Sequence, residues 1–352
     1  MNIPIQNIYY LLIYAWDALE EADLVDVSPE PETRLAELFA SVLSRGIDHL
    51  LRRGIDRGYV THREDIAGVR GKLDPSATVK ANLFPRARAV CEFDDLTHNV
   101  LHNQILRATV LRLIRVPGLA DDVRENLAGT DRHLREIDHI PLSRRAFRSV
   151  QLHRNNRFYR FLLHLCRLVH DSMLVNEQTG EVQFRDFVRD ARRLRYLFER
   201  FLRNFYRLEQ KEFRVRREHI RWRDTAGSPQ AMQLLPRMIT DISLTGANRK
   251  IIIDAKFYRE TLQRHFGKAT VHSAHLYQLF AYLVNLAARG GLNARAEGML
   301  LYPVVGRRLD ASYVIQGHPI RLCTIDLNQP WPAIRDDLLG LLAAPAPAST
   351  RP

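Results

Sequence analysis

Apolar residues recur at helical spacing along much of this 352-residue chain. Ile8, Leu11, Leu12, Ala15, Trp16 and Leu19 follow Asn7, which that spacing places as a helix N-cap. Nearly every face of this helix is apolar or aromatic. It is therefore expected to be buried, with Tyr9, Tyr10 and Trp16 in the core. Leu35, Leu38, Phe39, Val42, Leu43, Ile47 and Leu50 predict a second helix over 32–53. Further helices are expected over 93–115, 120–134, 156–175 and 189–207, with a short one over 336–342. In the 93–115 helix, Asp95 or Thr97 would be the cap, and Asn99 and Asn103 would make polar contacts within the fold. The 189–207 helix is strongly two-sided, with Leu194, Leu197, Phe198, Phe201, Leu202 and Phe205 opposite a run of arginines.

Other stretches carry a strand pattern. Gly54, Gly58, Gly68, Gly71, Pro75 and Pro85 punctuate short β-prone pieces over 54–88, which reads as a strand-rich insertion. Residues 212–222 alternate, and apolar runs over 298–304, 313–317 and 320–326 predict three more strands. The run 238–244, the turn Gly246-Ala247-Asn248 and the run 251–258 read as a β-hairpin. Residues 24–31 form an acidic, proline-containing loop. The resulting fold class is α/β (α+β): a mixed, mostly helical N-terminal domain over 1–148 with the β-rich insertion, then a domain over 149–342 with a central mixed sheet flanked by helices. The tail 343–352 is expected to be disordered.

The hairpin carries the candidate chemistry. Asp241 lies in its first run, and Asp254-Ala255-Lys256 closes the second. Residues two apart on a strand share a face, so Asp254 and Lys256 project together and Ala255 points into packing. Charges avoid cores unless they are paired or bind metal. Two carboxylates suit a hard cation such as Mg²⁺, which takes oxygen ligands. The lysine would orient an attacking water or stabilise charge developing on phosphorus. A strand-end ion pair between Asp254 and Lys256 is the alternative. Gln278 and Tyr282, four apart on the next helix, share a face. An Asp…Asp-x-Lys hairpin followed by Gln-x-x-x-Tyr resembles the RecB-type nucleases of the PD-(D/E)xK superfamily. The proline of that motif's name is absent, its place taken by Thr240.

Net charge is +12, and arginine far outnumbers lysine. A basic chain favours a polyanionic partner, although arginine bias also follows from a GC-rich genome. Arg264, His265, Lys268, His272 and His275 offer contacts to a DNA backbone. His272 and His275 have no third ligand nearby in the sequence, so zinc is not expected. Gly68-Val69-Arg70-Gly71-Lys72 is not a phosphate loop, because two residues rather than four separate the glycines and Leu73 follows the lysine. No nucleotide is expected to bind this chain itself. The cysteines at 91, 166 and 323 form no pair motif, and there is no secretory pattern or membrane-length apolar run. A cytoplasmic protein without membrane contact fits.

Beyond the hairpin, the opening IPIQNIYYLLIYAWD, then GVRGKLD, CEFDDLTHNVLHNQIL, LLYP and WPAI resemble McrC sequence in the same order. McrC is the nuclease subunit of the McrBC modification-dependent restriction system, and the resemblance covers essentially the whole chain. It implies an endonuclease that cuts double-stranded DNA carrying modified (methylated) bases, with Mg²⁺ as cofactor. It implies an McrB-like AAA+ GTPase hexamer as partner, engaged by the N-terminal domain, whose GTP hydrolysis this chain stimulates. Asp241, Asp254 and Lys256 would be catalytic, with Gln278 and Tyr282 supporting them or touching phosphate. Related nucleases also place a glutamate from the domain's first helix near the metal. Glu199 answers to that position, although an i,i+4 pair with Arg203 is an equal reading. Arg70 and Lys72, in a glycine-flanked turn, are the candidate contacts to the GTPase. An autonomous RecB-type repair nuclease and a non-catalytic activator of an AAA+ partner are the rival readings.

Overall fold

Helix α1 (Ile5–Ala15) starts directly behind Pro4 and ends four residues short of Leu19. A computed structural model describes residues 3–19, 35–152, 156–175, 182–184, 191–223, 225–257, 262–265, 268–304 and 308–343. The expected loop over 24–31 and the tail after 343 lie outside them. Asn7 does not cap α1. It is buried within the first turn, and its amide donates to the carbonyls of Leu327 (2.9 Å) and Gln329 (2.8 Å). A cap needs the side-chain oxygen turned back on the helix, whereas here the amide makes a tertiary tie. Tyr9 and Tyr14 are buried core residues, Tyr14 packing edge-on against Phe201. Tyr10, stacked on Trp331 at 4.5 Å, and Trp16, just past the helix end, are only half-buried rather than the core residues expected.

A helical group follows. Helix α2 (Leu35–Arg53) leads to strands β1 (Gly58–Ala67) and β2 (Lys72–Leu73), helix α3 (Pro75–Lys80) and strand β3 (Arg88–Thr97). Then come α4 (Leu101–Ile114), α5 (Asp121–His133), α6 (Arg144–Ser149), α7 (Arg157–Ser172), and strands β4 (Met173–Val175) and β5 (Val182–Phe184). Helices α2, α4, α5 and α7 pack together. The Ser44 and Thr130 hydroxyls bond at 2.7 Å between α2 and α5. The insertion is a three-stranded sheet, β1-β3-β2, with α3 added. The helix expected from 93 begins only at Leu101, and neither Asp95 nor Thr97 caps it. Residues 88–97 instead pair with β1 along ten antiparallel positions, and that ladder overrides the local helical reading. Asn103 is an internal contact as expected, donating to the carbonyls of Asp56 and His98 and accepting from the Tyr159 hydroxyl. The end of the 156–175 stretch is strand β4, paired with β5.

The rest of the chain builds a six-stranded mixed sheet. Its elements are α8 (Ala191–Glu209), β6 (Arg214–Arg216), β7 (His219–Ile220), α9 (Pro229–Leu234), β8 (Met238–Ile239), β9 (Ile242–Thr245), β10 (Lys250–Ala255), β11 (Leu262–His265), β12 (Lys268–Val271), α10 (Ser273–Ala287), β13 (Glu297–Pro303), β14 (Asp310–Ile315), β15 (His318–Ile325) and α11 (Trp331–Gly340). The sheet order is β14-β15-β13-β10-β9-β6. β10 is buried along its whole length, antiparallel to β9 and parallel to β13. Its continuous apolar run reflects burial on both faces. Ile252 joins Leu279, Tyr282 and Leu283 of α10 and Leu300 of β13 in one apolar cluster. At Gly298 of β13 a Cβ would sit 2.9 Å from Leu283 and 3.0 Å from Leu279, so glycine lets α10 approach the sheet.

The contacts divide the chain into two compact units, and not at 148/149. α1 belongs with α8 and all that follows, whereas α7 belongs with the helical group. The reason is the pairing of apolar faces: α1 packs on α8, and α7 packs on α2 and α4. Among the described residues no helix is long and apolar enough to cross a membrane.

Candidate active site

The predicted hairpin is present as β9 and β10, with the Gly246 N–H donating to the Arg249 carbonyl across the turn. Its first run is broken, however. Met238 and Ile239 form β8, which pairs with β7 in a separate ladder, so Thr240 and Asp241 occupy the break before β9. Thr240 is fully buried. Its N–H donates to the Glu218 carbonyl (3.0 Å), and its hydroxyl accepts the Glu218 N–H (2.9 Å). The last register pair of β9 and β10 is Ile242 with Ile253, so the break runs alongside Asp254. There an Asp241 carboxylate oxygen accepts the Ala255 N–H at 3.0 Å, substituting for a ladder carbonyl.

Asp254 is 1% exposed. The Lys256 ammonium lies 2.8 Å from one of its oxygens, but neither oxygen accepts a well-aligned hydrogen bond from the described residues. Lys256 donates instead to the Gln278 side-chain oxygen at 3.0 Å. The Gln278 amide donates to the Tyr282 hydroxyl (2.7 Å), which donates to the Ile239 carbonyl (3.2 Å). A chain of bonds thus runs from Lys256 along α10 to the residue before the break. The structure brings Asp241, Asp254, Lys256, Gln278 and Tyr282 together, with the last two acting on the lysine rather than on the carboxylates.

Burial dominates the electrostatics. It pushes the Asp254 carboxyl up to about 7, with the charges of Asp241 and Glu199 adding to the effect and Lys256 opposing it. Burial also raises Asp241 against the pull of Lys256, the Ala255 N–H and Arg217. Burial would lower Lys256, but Asp254 and Asp241 outweigh it and hold the ammonium protonated. Glu199, half-buried on α8, is pushed up to about 7 by burial and then by Asp241. It therefore senses the site, yet no group of three His, Cys, Asp or Glu side chains among the described residues is placed to hold a metal ion. Glu199 does not complete a three-carboxylate set.

The remaining candidates lie elsewhere. Arg70 and Lys72 are exposed in the other compact unit. Arg70 pairs with Asp95 and lies over the Phe93 ring at 4.4 Å, and Lys72 is opposite Glu92 on β3. The basic linker is in backbone terms the β11–β12 hairpin; the side chains of Arg264, His265 and Lys268 lie outside the described residues. His275 is buried, with a ring nitrogen 2.9 Å from the Tyr302 hydroxyl. Burial, then the neighbouring charges of Lys256, His272 and Arg195, lower its pKa to about 4, so it stays neutral. One feature beside the site has no sequence signal: Arg217 donates from Nε to the Thr240 carbonyl at 3.4 Å. It is one of several arginines in an alternating run, and only the fold selects it.

Comparison with known proteins agrees with this architecture. The profile of the family described as McrBC 5-methylcytosine restriction system component matches residues 6–303. The chain is 32% identical over 339 residues to the Type IV methyl-directed restriction enzyme EcoKMcrBC of Escherichia coli strain K12, covering 96% of this chain and 97% of that protein. In fold it resembles the refined half-complex of Thermococcus gammatolerans McrB AAA+ hexamers with bound McrC. There the TM-score is 0.57 at 18% identity, over 96% of this chain and 76% of the other. Matched by the family profile over most of its length and by a relative along nearly all of it, the chain belongs to the McrC family of McrBC restriction-system components.

Proposed function

We propose that this chain is the Mg²⁺-dependent endonuclease subunit of a GTP-driven, McrBC-like complex that cleaves DNA carrying modified bases. The observation that carries the reading is the Asp254 carboxylate, buried beside Asp241 with a single ammonium, that of Lys256 at 2.8 Å from one oxygen, to offset two carboxylates, and with no well-aligned hydrogen bond to either oxygen among the described residues. A buried carboxylate in that state is costly unless a cation completes it. Mg²⁺ typically takes one or two protein carboxylates and fills its other positions with water and phosphate oxygens. Asp241 and Asp254 fit that requirement, with Glu199 a further acidic group on the neighbouring helix. When bound, the ion would lower the pKa of a coordinated water and neutralise charge on the phosphate.

The chain's own residues do the rest. The Ala255 N–H holds Asp241 in one orientation. Asp254 and Gln278 position the Lys256 ammonium, a permanent positive charge aimed where negative charge develops on the phosphate. Gln278 and Tyr282 tie that lysine to the Ile239 backbone. The net charge of +12 favours a polyanion.

The relative's methyl-directed restriction activity supports modified DNA as the substrate. The fold neighbour's McrB hexamers support an AAA+ GTPase partner, which this chain would engage through the unit that carries Arg70 and Lys72. The test is GTP turnover by the cognate AAA+ protein with and without this chain, beside Mg²⁺-dependent cleavage of methylated and unmethylated DNA. Stimulated turnover, with cleavage of methylated DNA only in the full mixture and its loss in Asp254→Ala, is expected. Cleavage unchanged by Asp254→Ala would remove the catalytic assignment. Cutting by the chain alone, without stimulation, would make it an autonomous nuclease.

A further inference from the structure

The carboxylate pair and Lys256 leave one task of phosphodiester cleavage unassigned, namely holding the phosphate itself. Arg217 stands where that task is done. Its Nε donates to the carbonyl of Thr240, the residue directly before Asp241. That carbonyl is fixed by its surroundings: Thr240 is fully buried and clamped through both its N–H and its hydroxyl to Glu218, the residue after Arg217. The guanidinium is thus tethered at one edge to the metal-ligand segment. Among the described residues no carboxylate comes within ion-pair distance of it and no other acceptor takes a bond from its two terminal nitrogens. It is solvent-exposed.

Its charge nonetheless reaches the site, stabilising the ionised forms of Asp241 and Glu199 and opposing that of Arg203. Other guanidinium groups of this unit are paired, Arg249 with Glu297, Arg321 with Asp310 and Arg335 with Glu209, whereas Arg195 and Arg203 act on Glu199 from its own helix α8 rather than from the Thr240–Asp241 break. A planar guanidinium pinned at Nε offers its remaining donors as a fork, the geometry that grips two oxygens of a phosphate. Such an exposed fork beside paired carboxylates is suited to an anion that arrives with the substrate.

We infer that Arg217 binds the non-bridging oxygens of a DNA phosphate at the cleavage site. This rests on the endonuclease reading above. The experiment uses the full chain with its cognate AAA+ partner, GTP and Mg²⁺ on methylated DNA, and compares wild type, Arg217→Ala, Arg217→Lys and Glu218→Gln. Failure of the wild-type complex to cut would sink the endonuclease reading itself and is seen before any variant is compared.

With wild type active, Arg217→Ala is expected to lower the cleavage rate about 10²-fold, the scale of removing one preorganised donor from a developing anion. Arg217→Lys should keep part of the rate, and millimolar guanidinium should partly restore the alanine variant. Mg²⁺ binding to the chain alone, measured calorimetrically without DNA, should be unchanged. Cleavage by Arg217→Ala at the wild-type rate would overturn the inference. So would loss of Mg²⁺ affinity in step with activity and no rescue by guanidinium, because Arg217 would then act by holding Thr240 and Asp241 in place. Glu218→Gln keeps the backbone clamp on Thr240 and should show no guanidinium rescue.

Discussion

Replacing Asp254 with Asn should stabilise the metal-free protein while abolishing cleavage. The carboxyl is moved from its ordinary value of 3.8 to about 7, chiefly by burial. At about 1.4 kcal/mol per pH unit, keeping it ionised in the folded state costs on the order of 4 kcal/mol above pH 7. The favourable pull of Lys256 is already inside that figure. The sign follows from linkage: a carboxyl whose folded pKa is raised leaves the folded state unpenalised below pH 4. Stability is then lost as pH rises towards 7 and levels off above it. Asn carries no charge, so its advantage should be near zero at pH 4 and greatest at pH 8. Part of it is offset because the amide N–H groups meet the Lys256 ammonium.

We expect about 2 kcal/mol to survive, a rise in Tm of roughly 4–8 °C for a unit of this size. The assay is thermal unfolding of the full chain and the Asp254→Asn variant in EDTA at pH 4, 5.5, 7 and 8, repeated with Mg²⁺. Added Mg²⁺ should raise the Tm of the wild type, because a ligand bound only by the folded state stabilises it, and should leave the variant unmoved. A variant less stable than wild type at pH 8, by an amount independent of Mg²⁺, would refute the reasoning. Asp254 would then be the structural ion-pair partner of Lys256 and nothing more.

Other outcomes follow from particular contacts. Gly298→Ala forces a methyl to within about 3 Å of Leu283 and Leu279; it should cost about 1–3 kcal/mol in urea unfolding and reduce cleavage by displacing the helix that carries Gln278 and Tyr282. Glu218→Gln leaves Lys250, only 6% exposed, without its carboxylate, at a cost of about 3 kcal/mol at pH 7. Burial would raise the Glu218 carboxyl, but Lys250, Ser243 and Arg289 hold it below its ordinary value. The difference from wild type should therefore shrink as pH falls through the depressed pKa and the wild-type carboxyl protonates. Substituting Arg70 and Lys72 together with Ala should lower stimulation of the partner's GTP turnover and leave the Mg²⁺-dependent rise in Tm intact. Loss of both would place those residues in folding rather than in partner contact.

The hydrophobic pattern by itself determined most helices, the β9–β10 hairpin and the three later strands, because those elements bury continuous apolar stripes that any correct fold must cover. It also brought forward the candidate side chains Asp241, Asp254, Lys256, Gln278 and Tyr282, which the fold gathers in one place. A carboxylate and a lysine two apart at the end of a fully apolar strand have few destinations, and a Gln and Tyr four apart on the next helix share a face in any packing. The tertiary structure decided what local pattern leaves open. Residues 88–97 became a strand because a partner ladder was available over 58–67, although 93–97 read locally as the start of a helix. Asn7 was drawn inside α1 by two distant carbonyls, and α1 and α7 changed units because their apolar faces meet α8 and the α2–α4 pair. The break at Thr240 and Asp241 exists only because β8 pairs with β7 while β9 pairs with β10. That same break places Asp241 beside Asp254 and sets Arg217 apart from its neighbouring arginines. Residue types and spacing encode which groups can do chemistry, but hydrogen bonds between segments far apart in the chain decide which of them are brought together.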